Sequence, residues 1–385
     1  MKKIKYIRNL LFLLFVIYYA QGSLYAQGSI IAKASLALVL VISGFYCIKT
    51  LLDRKKKNFF YKAWTALLLL NIVGFVFTAN FGESHHVSML KGILVTSLSF
   101  YPFYYFAQRG LLKSKHLLIF FLVMIPITIL QYFFNANQIL LERLSDSTEL
   151  VNNIAYSFVA LIPFVFLFKE KKVYSIASMA LLMFFIIQGG KRGALIAGVI
   201  GLLFFIYYQL KTIDKKHRYR SYLLVLIGVL GLVYFAYDVF QNNEFLVARM
   251  QKIGDGGGSS GRDIIYANIF NAWLNSDNMF SLVFGYGFAA SLNLSGTGNF
   301  AHNDWLELLS NFGLLGVFIY GLLFYAAVKC FRNKDWNIDK RLLLLTIVSI
   351  WFFSTLVSMS YTSMNGYIQS MFLAYLIGSN SKTIE

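Results

Sequence analysis

The sequence is dominated by apolar runs of about 20 residues, the length that an α-helix needs to cross a bilayer. We place twelve of them, at 9–27, 30–48, 63–80, 89–108, 117–134, 151–168, 173–188, 193–209, 221–237, 305–328, 342–360 and 365–379. Because a backbone in hydrocarbon must satisfy its polar groups within the segment, each run is expected to be helical. The pattern predicts an all-α, polytopic integral membrane protein with about 12 transmembrane helices. The alternative for 173–209 is a re-entrant turn at residues 188–193 in place of two full spans.

Composition supports a lipid environment. Hydrophobic residues make up 58% of the chain and charged residues 14%, whereas a soluble domain carries about 25% charged residues. The net charge of +18 would suggest nucleic acid as a partner of a soluble protein. Here the basic residues lie between the apolar runs, so no nucleic-acid partner is expected.

The distribution of basic residues predicts the orientation. With the N-terminus in the cytoplasm, 27 of the 35 lysines and arginines fall in cytoplasmic loops and 8 fall outside. Positively charged loops resist translocation, so both termini are expected to be cytoplasmic. The first run also resembles a signal sequence, but the bulky Leu24 near a cleavage point after Ala26 favours an uncleaved helix.

The chain divides into an N-terminal bundle of about nine spans at 1–237, a large external loop at 238–304 and C-terminal transmembrane helices at 305–385, together one membrane domain. In the loop, the glycine-rich run 254–261 is a flexible linker or lid, or alternatively an anion-binding nest. Ser260 and Asp263 have capping-box spacing. The apolar stripe of Ile265, Ile269 and Trp273, which Phe270 could extend, then predicts a short helix on the membrane surface.

Three residues of the predicted outer face combine charge with a costly location: Arg192 at a helix break, Arg262 at the start of the surface helix, and His302 before the tenth span. Ionisable groups at membrane depth are functional candidates. Each also has a simpler interpretation. Arg192 would reach the lipid headgroups, Arg262 would be an ordinary loop residue, and His302 would be a plain interfacial histidine.

Weaker signals lie nearby. Asp304 and Glu307 have the spacing of a helix cap, which we favour over catalysis; the alternative for Asp304 is to orient His302 as a supporting residue. Glu83, His85 and His86 could bind a metal, but an ordinary polar loop is the preferred interpretation. Cys47 and Cys330 fall near predicted cytoplasmic ends and are expected to be free thiols.

Several motifs together resemble the O-antigen ligase and polymerase family of bacterial membrane glycosyltransferases. In chain order they are Gly190-Lys191-Arg192-Gly193-Ala194-Leu195, Gly261-Arg262-Asp263 with Trp273, Gly285-Tyr286-Gly287, Ala301-His302-Asn303-Asp304-Trp305-Leu306-Glu307, and Gly313-Leu314-Leu315-Gly316. Their order and spacing match the family, and the resemblance covers about 190 to 330. The N-terminal half matches only as a series of spans.

The resemblance implies a fold like that of the C-type glycosyltransferases and an enzyme of the bacterial inner membrane with its active site facing outward. Its donor would be a glycan on undecaprenyl diphosphate, and its acceptor another glycan or a lipid A core sugar. It further implies that Arg192 and Arg262 bind the diphosphate and that His302 acts as the base. Lys191 stands where many relatives have a small polar residue, which makes it a further candidate for phosphate. Membrane lipids, a flippase and a chain-length regulator are implied partners.

The chemistry of the residues agrees with these roles. A sugar on diphosphate already has a good leaving group, so the protein has only to stabilise the charge on the departing phosphate. Guanidinium groups do this bidentately, so no metal or cofactor is expected. Histidine suits removal of a proton from the attacking hydroxyl at pH 7. One displacement with one base would invert the anomeric carbon.

The sequence leaves open whether the chain would polymerise repeat units or ligate a finished glycan, and we lean towards a polymerase. The alternative from another class is a transporter such as a flippase for the same lipid-linked sugar. Transporters often contain internal repeats with paired helix breaks. Neither is evident in this sequence, and the candidate charges lie on one predicted side.

Overall fold

The computed structural model describes residues 2–53, 57–143, 152–168, 171–211, 218–242, 261–363 and 366–380. Within these ranges the regular structure is helical and contains no β-strand, which confirms the predicted all-α class. The α-helices are α1 (Lys2–Tyr19), α2 (Ile30–Leu52), α3 (Phe59–Thr78), α4 (Ser84–Leu98), α5 (Phe100–Gln108), α6 (Ser114–Arg143), α7 (Ala155–Val165), α8 (Lys172–Gln188), α9 (Arg192–Lys211), α10 (Arg218–Asn242), α11 (Arg262–Leu274), α12 (Met279–Phe284), α13 (Ser291–Leu294), α14 (Asp304–Arg332), α15 (Ile338–Val357) and α16 (Tyr367–Asn380).

Every predicted apolar run coincides with one or more of these helices. Six helical stretches of the described chain are long and apolar enough to cross a membrane: α2, α3, the Ser114–Asn137 part of α6, α9, α14 and α15. The chain is therefore a multi-pass membrane protein by the length and composition of its helices. The total of 12 spans remains a prediction.

Two compact units can be distinguished by their internal contacts. The first contains residues 1–37, 113–258 and 338–350, and the second contains residues 38–112, 259–337 and 351–385. Neither unit is continuous in sequence, because each is assembled from three separate stretches of chain. Part of the helical packing within each unit therefore joins helices that are far apart in the sequence.

In the first unit, helix α7 packs against α6, α8 and α9. The Phe158 and Phe185 rings stack with 4.9 Å between their centroids, and the Phe121 and Phe164 rings stack at 5.8 Å. Offset aromatic pairs of this kind add to the free energy gained from burial. They fix α7 between its neighbours.

In the second unit, α14 packs against α3, and α16 packs against α4 and α5. The predicted run 89–108 is divided here into α4 and α5, which meet at Ser99. Beside this junction, the Trp64 ring stacks on Phe100 at 5.0 Å, and its indole N–H donates to the Ser97 carbonyl oxygen at 2.9 Å. Buried tryptophan N–H groups need such a partner.

Helix α14 bends at Gly313, whose φ of 60° and ψ of −151° are not helical. A helix rises 1.5 Å per residue, so the part of α14 from Gly313 to Arg332 is about 30 Å long, the thickness of a bilayer's hydrocarbon core. The preceding residues, 304–312, therefore form a separate short helical piece at one end of this stretch.

We expect the two ends of α14 to lie on opposite sides of the membrane. In a variant without the native Cys47 and Cys330, a single cysteine at the exposed Asn299 should react with a membrane-impermeant thiol reagent added from outside. A single cysteine at the exposed Lys334 should react only after the membrane is permeabilised. The positive-inside distribution is the physical reason. Equal labelling of both sites in intact cells, or labelling of Lys334→Cys alone, would show that this orientation is wrong.

Candidate functional site

His302 lies on the short segment between α13 and α14, and its side chain is exposed. Its φ of 50° places it in the left-handed region, which non-glycine residues rarely occupy. Such a conformation costs roughly 1–3 kcal/mol and persists only where the surrounding structure enforces it. The residues on both sides of His302 supply that constraint.

On the N-terminal side of His302, the constraint comes from Glu307, a fully buried residue of α14. One carboxylate oxygen accepts a hydrogen bond from the backbone N–H of Ala301 at 3.0 Å. The other accepts from the Ser291 hydroxyl at 2.7 Å and from the Asn311 side-chain amide at 3.2 Å. A buried carboxylate is tolerated when it is hydrogen-bonded in this way. Glu307 thus fixes the residue that precedes His302.

On the C-terminal side, Asn303 is the N-cap of α14. Its side-chain oxygen accepts from the backbone N–H groups of Trp305 and Leu306 at 2.9 and 3.2 Å. Asparagine is among the best N-cap residues, because it satisfies N–H groups that the helix leaves unpaired. The prediction that Asp304 and Glu307 form the cap is therefore wrong, because both carboxylates point into the protein interior, where other donors satisfy them.

Asp304 is fully buried and joins α14 to the turn after α15. Its carboxylate accepts from the Tyr320 hydroxyl at 2.7 Å and from the backbone N–H groups of Ser360 and Tyr361 at 2.7 and 3.3 Å. A carboxyl group this deeply buried needs such hydrogen-bond partners. The start of α14 is held by these bonds at the residue next but one to His302.

Arg262 is the first residue of α11 and is partly buried. One of its guanidinium nitrogens, Nη1, donates to the carbonyl oxygen of Val357, the last residue of α15, at 2.9 Å. The N-cap of α11 is Gly261, with φ 75° and no side-chain cap, which contradicts the predicted capping box. Ser260, the other member of that box, lies outside the described residues, as does the rest of the glycine-rich run at 254–260.

Tyr266 connects Arg262 with the His302 segment, and the sequence reasoning did not identify it. Its hydroxyl donates to the His302 carbonyl oxygen at 3.4 Å. Burial raises the pKa of the Tyr266 phenol, and the nearby Arg262 and Asn303 side chains oppose that rise. The phenol therefore stays protonated at neutral pH and remains a hydrogen-bond donor. Its spacing of four residues from Arg262, one helical turn, is the sequence signal that could have revealed it.

Helix α11 lies against the same segment through its apolar face. Ile265 and Ile269 are buried and form a cluster with Ala301, the residue before His302. The predicted stripe is thus confirmed at these two positions, whereas Phe270 on the same helix is 45% exposed. This packing brings Arg262 and His302 into one part of the second unit.

The Gly285-Tyr286-Gly287 motif is a close backbone contact with α14. The N–H groups of Tyr286 and Gly287 donate to the carbonyl oxygens of Ser310 and Asn311 at 2.8 and 3.2 Å. A Cβ added to Gly285 would lie 2.4 Å from the backbone of Asn311, and one added to Gly313 would lie 2.6 Å from the Leu282 carbonyl oxygen. Both motifs therefore have a structural role, because only glycine lets the two backbones approach so closely.

Lys191 and Arg192 belong to the other unit. Gly190, with φ 62°, ends the turn after α8, and Arg192 begins α9. Both side chains are partly buried. The N-terminus of a helix favours anions, because its first N–H groups have no partner within the helix. The predicted helix break is thus confirmed, and it places two cations at the positive end of a helix.

The Glu83, His85 and His86 group is occupied by internal contacts. The Nδ1 atom of His86 accepts from the Asn80 backbone N–H at 3.0 Å, and its Nε2 atom lies 3.0 Å from a Glu83 carboxylate oxygen. His85 packs against the Phe300 ring at 6.4 Å. Among the residues that the structure describes, no group of three or more histidine, cysteine, aspartate or glutamate side chains is arranged to hold a metal.

These features define a multi-pass membrane protein with two candidate residues near the ends of long apolar helices. The exposed His302 directly precedes the N-cap of α14, and Arg262 is bonded to the last residue of α15. In a comparison with protein families, residues 177–321 match the O-antigen ligase family, which confirms the resemblance seen in the motifs. The chain is accordingly related to membrane enzymes that handle polysaccharides. The match includes Lys191, Arg192, Arg262, His302 and Asp304. A search of curated proteins finds no match.

We expect Gly285→Ala to destabilise the protein far more than Gly298→Ala does. Both glycines have positive φ, 78° and 71°, so both substitutions introduce backbone strain of roughly 1 kcal/mol or more. Only at Gly285 would the new Cβ overlap another backbone, since the space around Gly298 is open. Thermal unfolding in detergent should show a large loss for Gly285→Ala and a small one for Gly298→Ala. Similar losses would mean that the close contact with α14 is unimportant.

Proposed function

We propose that this protein transfers a glycan from undecaprenyl diphosphate to a hydroxyl acceptor at the outer face of the bacterial cytoplasmic membrane. The observation that carries the proposal is the arrangement around His302. Its side chain is exposed although its backbone is held in a strained conformation, and Tyr266 connects it with Arg262. Strain and perturbed geometry of this kind are concentrated at functional sites. The family match supplies the reaction class.

The donor is bound through its diphosphate. Arg262 offers a planar guanidinium group that is anchored at one nitrogen by Val357, so the side chain is already oriented before substrate arrives. A guanidinium group can contact two phosphate oxygens at once and stabilise the charge that develops as the carrier leaves. On the family resemblance, Arg192 and Lys191 are further cations for phosphate, and the N-terminus of α9 adds to their effect.

The acceptor is activated by His302. A neutral imidazole removes the proton from the acceptor hydroxyl while that oxygen attacks the anomeric carbon. The bond between this carbon and the diphosphate oxygen breaks at the same time, and the electron pair leaves with undecaprenyl diphosphate. Attack from the opposite side inverts the anomeric carbon. Asp304 supports the base by fixing the start of α14.

The reaction proceeds without a metal ion in this mechanism, since arginine and lysine provide the positive charge. The acceptor is either the glycan on a second lipid carrier, as in a polymerase, or a lipid A core sugar, as in a ligase. The resemblance in the motifs serves both, and we favour the polymerase. Both termini are cytoplasmic, the large loop at 238–304 lies outside, and a flippase and a chain-length regulator act with the enzyme.

The direct test is product formation by the purified protein. Supplied with a glycan on undecaprenyl diphosphate and a glycan acceptor, the enzyme should release undecaprenyl diphosphate and lengthen the acceptor. A flippase would move the donor across a vesicle membrane and release no free carrier. If the protein moves the donor across the membrane but releases no undecaprenyl diphosphate, it is a transporter and the proposed transferase function is wrong.

Arg262→Ala should weaken binding of undecaprenyl diphosphate by roughly 10- to 100-fold, the effect of losing hydrogen bonds to a charged group. Arg262→Lys should recover only part, because an ammonium group cannot make the two-pronged contact. Binding would be measured with detergent-purified protein. Arg332→Ala, at the exposed far end of α14, is the control and should bind normally. Normal binding by a folded Arg262→Ala protein would exclude Arg262 as a phosphate ligand.

His302→Ala should leave that binding near normal and slow transfer by roughly 10²- to 10⁴-fold, as expected when a general base is lost. In the unmodified protein the rate should fall as the pH is lowered and the base becomes protonated. This dependence should be absent in the variant. His85→Ala, at another exposed histidine, should keep both rate and pH profile. Near-normal transfer by folded His302→Ala would remove the base from the mechanism.

A further inference from the structure

The last turn of α15 and the turn after it, residues 355–361, contain none of the motifs that the sequence suggested. The carbonyl groups at the end of a helix lack partners within the helix. At this end, Asn303 donates its side-chain amide to the Leu356 carbonyl oxygen at 3.1 Å, and Arg262 donates to that of Val357 at 2.9 Å. The proposed phosphate ligand and the neighbour of the proposed base thus cap the same helix.

The same segment makes two further contacts with the start of α14. The indole N–H of Trp305 donates to the Thr355 hydroxyl oxygen at 3.0 Å. The N–H groups of Ser360 and Tyr361 donate to the Asp304 carboxylate. Three consecutive residues after His302, which are Asn303, Asp304 and Trp305, therefore bind this segment. Arg262, from a different helix, binds it as well.

We propose that residues 355–361 form a positioning segment that sets the location of Arg262 relative to His302. Asp304 is its principal positioning residue. This inference rests on the proposed function, and it adds a requirement that the function alone does not contain. The donor-binding arginine and the base must be aligned by a third element, because Arg262 lies on α11 and His302 lies on the separate segment before α14.

Asp304 is the contact to test, because its carboxyl group is fully buried and bonded to two backbone N–H groups of the segment. Its burial is costly unless those bonds are made. In Asp304→Asn, an amide nitrogen replaces one acceptor oxygen, so at least one of the three present donors loses its partner. The turn at 360–361 then loses one of its two hydrogen bonds to α14, so Val357 and Arg262 are held less firmly.

The chain offers a matched control in Tyr320. Tyr320→Phe removes the third hydrogen bond of the same carboxylate but leaves its bonds to Ser360 and Tyr361 in place. If Asp304 were only a buried group that needs satisfied hydrogen bonds, both variants would have similar consequences. If Asp304 positions the segment, only Asp304→Asn should alter substrate binding.

The experiment measures binding of undecaprenyl diphosphate to five purified proteins: the unmodified protein, Asp304→Asn, Arg262→Ala, the double variant of these two, and Tyr320→Phe. Asp304→Asn should weaken binding at least about fivefold in the unmodified background. In the Arg262→Ala background it should change binding less than about twofold, because residues that act through one another are not additive. Tyr320→Phe should bind within about twofold of the unmodified protein.

Equal losses in both backgrounds, or a loss in Tyr320→Phe as large as that in Asp304→Asn, would overturn the positioning role. Normal binding by Arg262→Ala would instead contradict the proposed function, so the two failures are distinguishable. If Asp304→Asn does not fold, Asn303→Asp replaces it in the same cycle. This variant keeps an acceptor for the α14 cap but loses the donor to Leu356. It should give the same non-additive loss, and additive behaviour would reject the proposal.

Discussion

Hydrogen bonding of two buried carboxylates at the start of α14 is the constraint on which the candidate site depends. Asp304 and Glu307 lie one turn apart, both fully buried, and each accepts three hydrogen bonds. A buried carboxyl group is tolerated only when its acceptor positions are satisfied. The donors come from α13, the His302 segment, the body of α14 and the turn after α15. Satisfying the carboxylates therefore fixes all of these pieces together.

This network explains how an exposed residue can be held in a strained conformation. His302 has backbone anchors on either side, at Ala301 through Glu307 and at Asn303 through the α14 cap. With its neighbours fixed, the backbone at His302 adopts the left-handed turn that connects them, and the imidazole projects outward. A flexible loop would relax this strain, whereas a rigid one keeps the side chain oriented for reaction.

The glycine contact between residues 285–287 and α14 also holds the surroundings of the candidate site in place. It attaches α12 to the bend at Gly313. The Trp273 indole N–H then donates to the Leu282 carbonyl oxygen at 3.0 Å, which connects α11 to α12. The C-terminal end of α11 is thereby connected through α12 to α14, while Arg262 at its N-terminal end is bonded to Val357 of α15. The two glycine motifs, at 285–287 and 313–316, thus belong to the structure that supports the candidate site.

Sequence reasoning located the helices and the region of the site because both depend on local signals. Apolar runs reveal helices in lipid, and the order of short motifs indicated the family that the match at 177–321 confirms. It failed where a local pattern had a non-local partner. The spacing of Asp304 and Glu307 looked like a cap, but Asn303 is the cap. Tyr266 and the segment 355–361 were missed, although the first lies one helical turn from Arg262.

What the sequence alone determined is therefore the all-α membrane class, the helical runs, the break before Arg192 and the candidate residues themselves. Only the tertiary structure decided what those residues contact. Asp304 and Ser360 are 56 residues apart, and Arg262 and Val357 are 95 apart. The local sequence around a polar residue does not indicate which distant backbone group will form its hydrogen bond. That choice is made when helices pack and every buried donor and acceptor must find a partner.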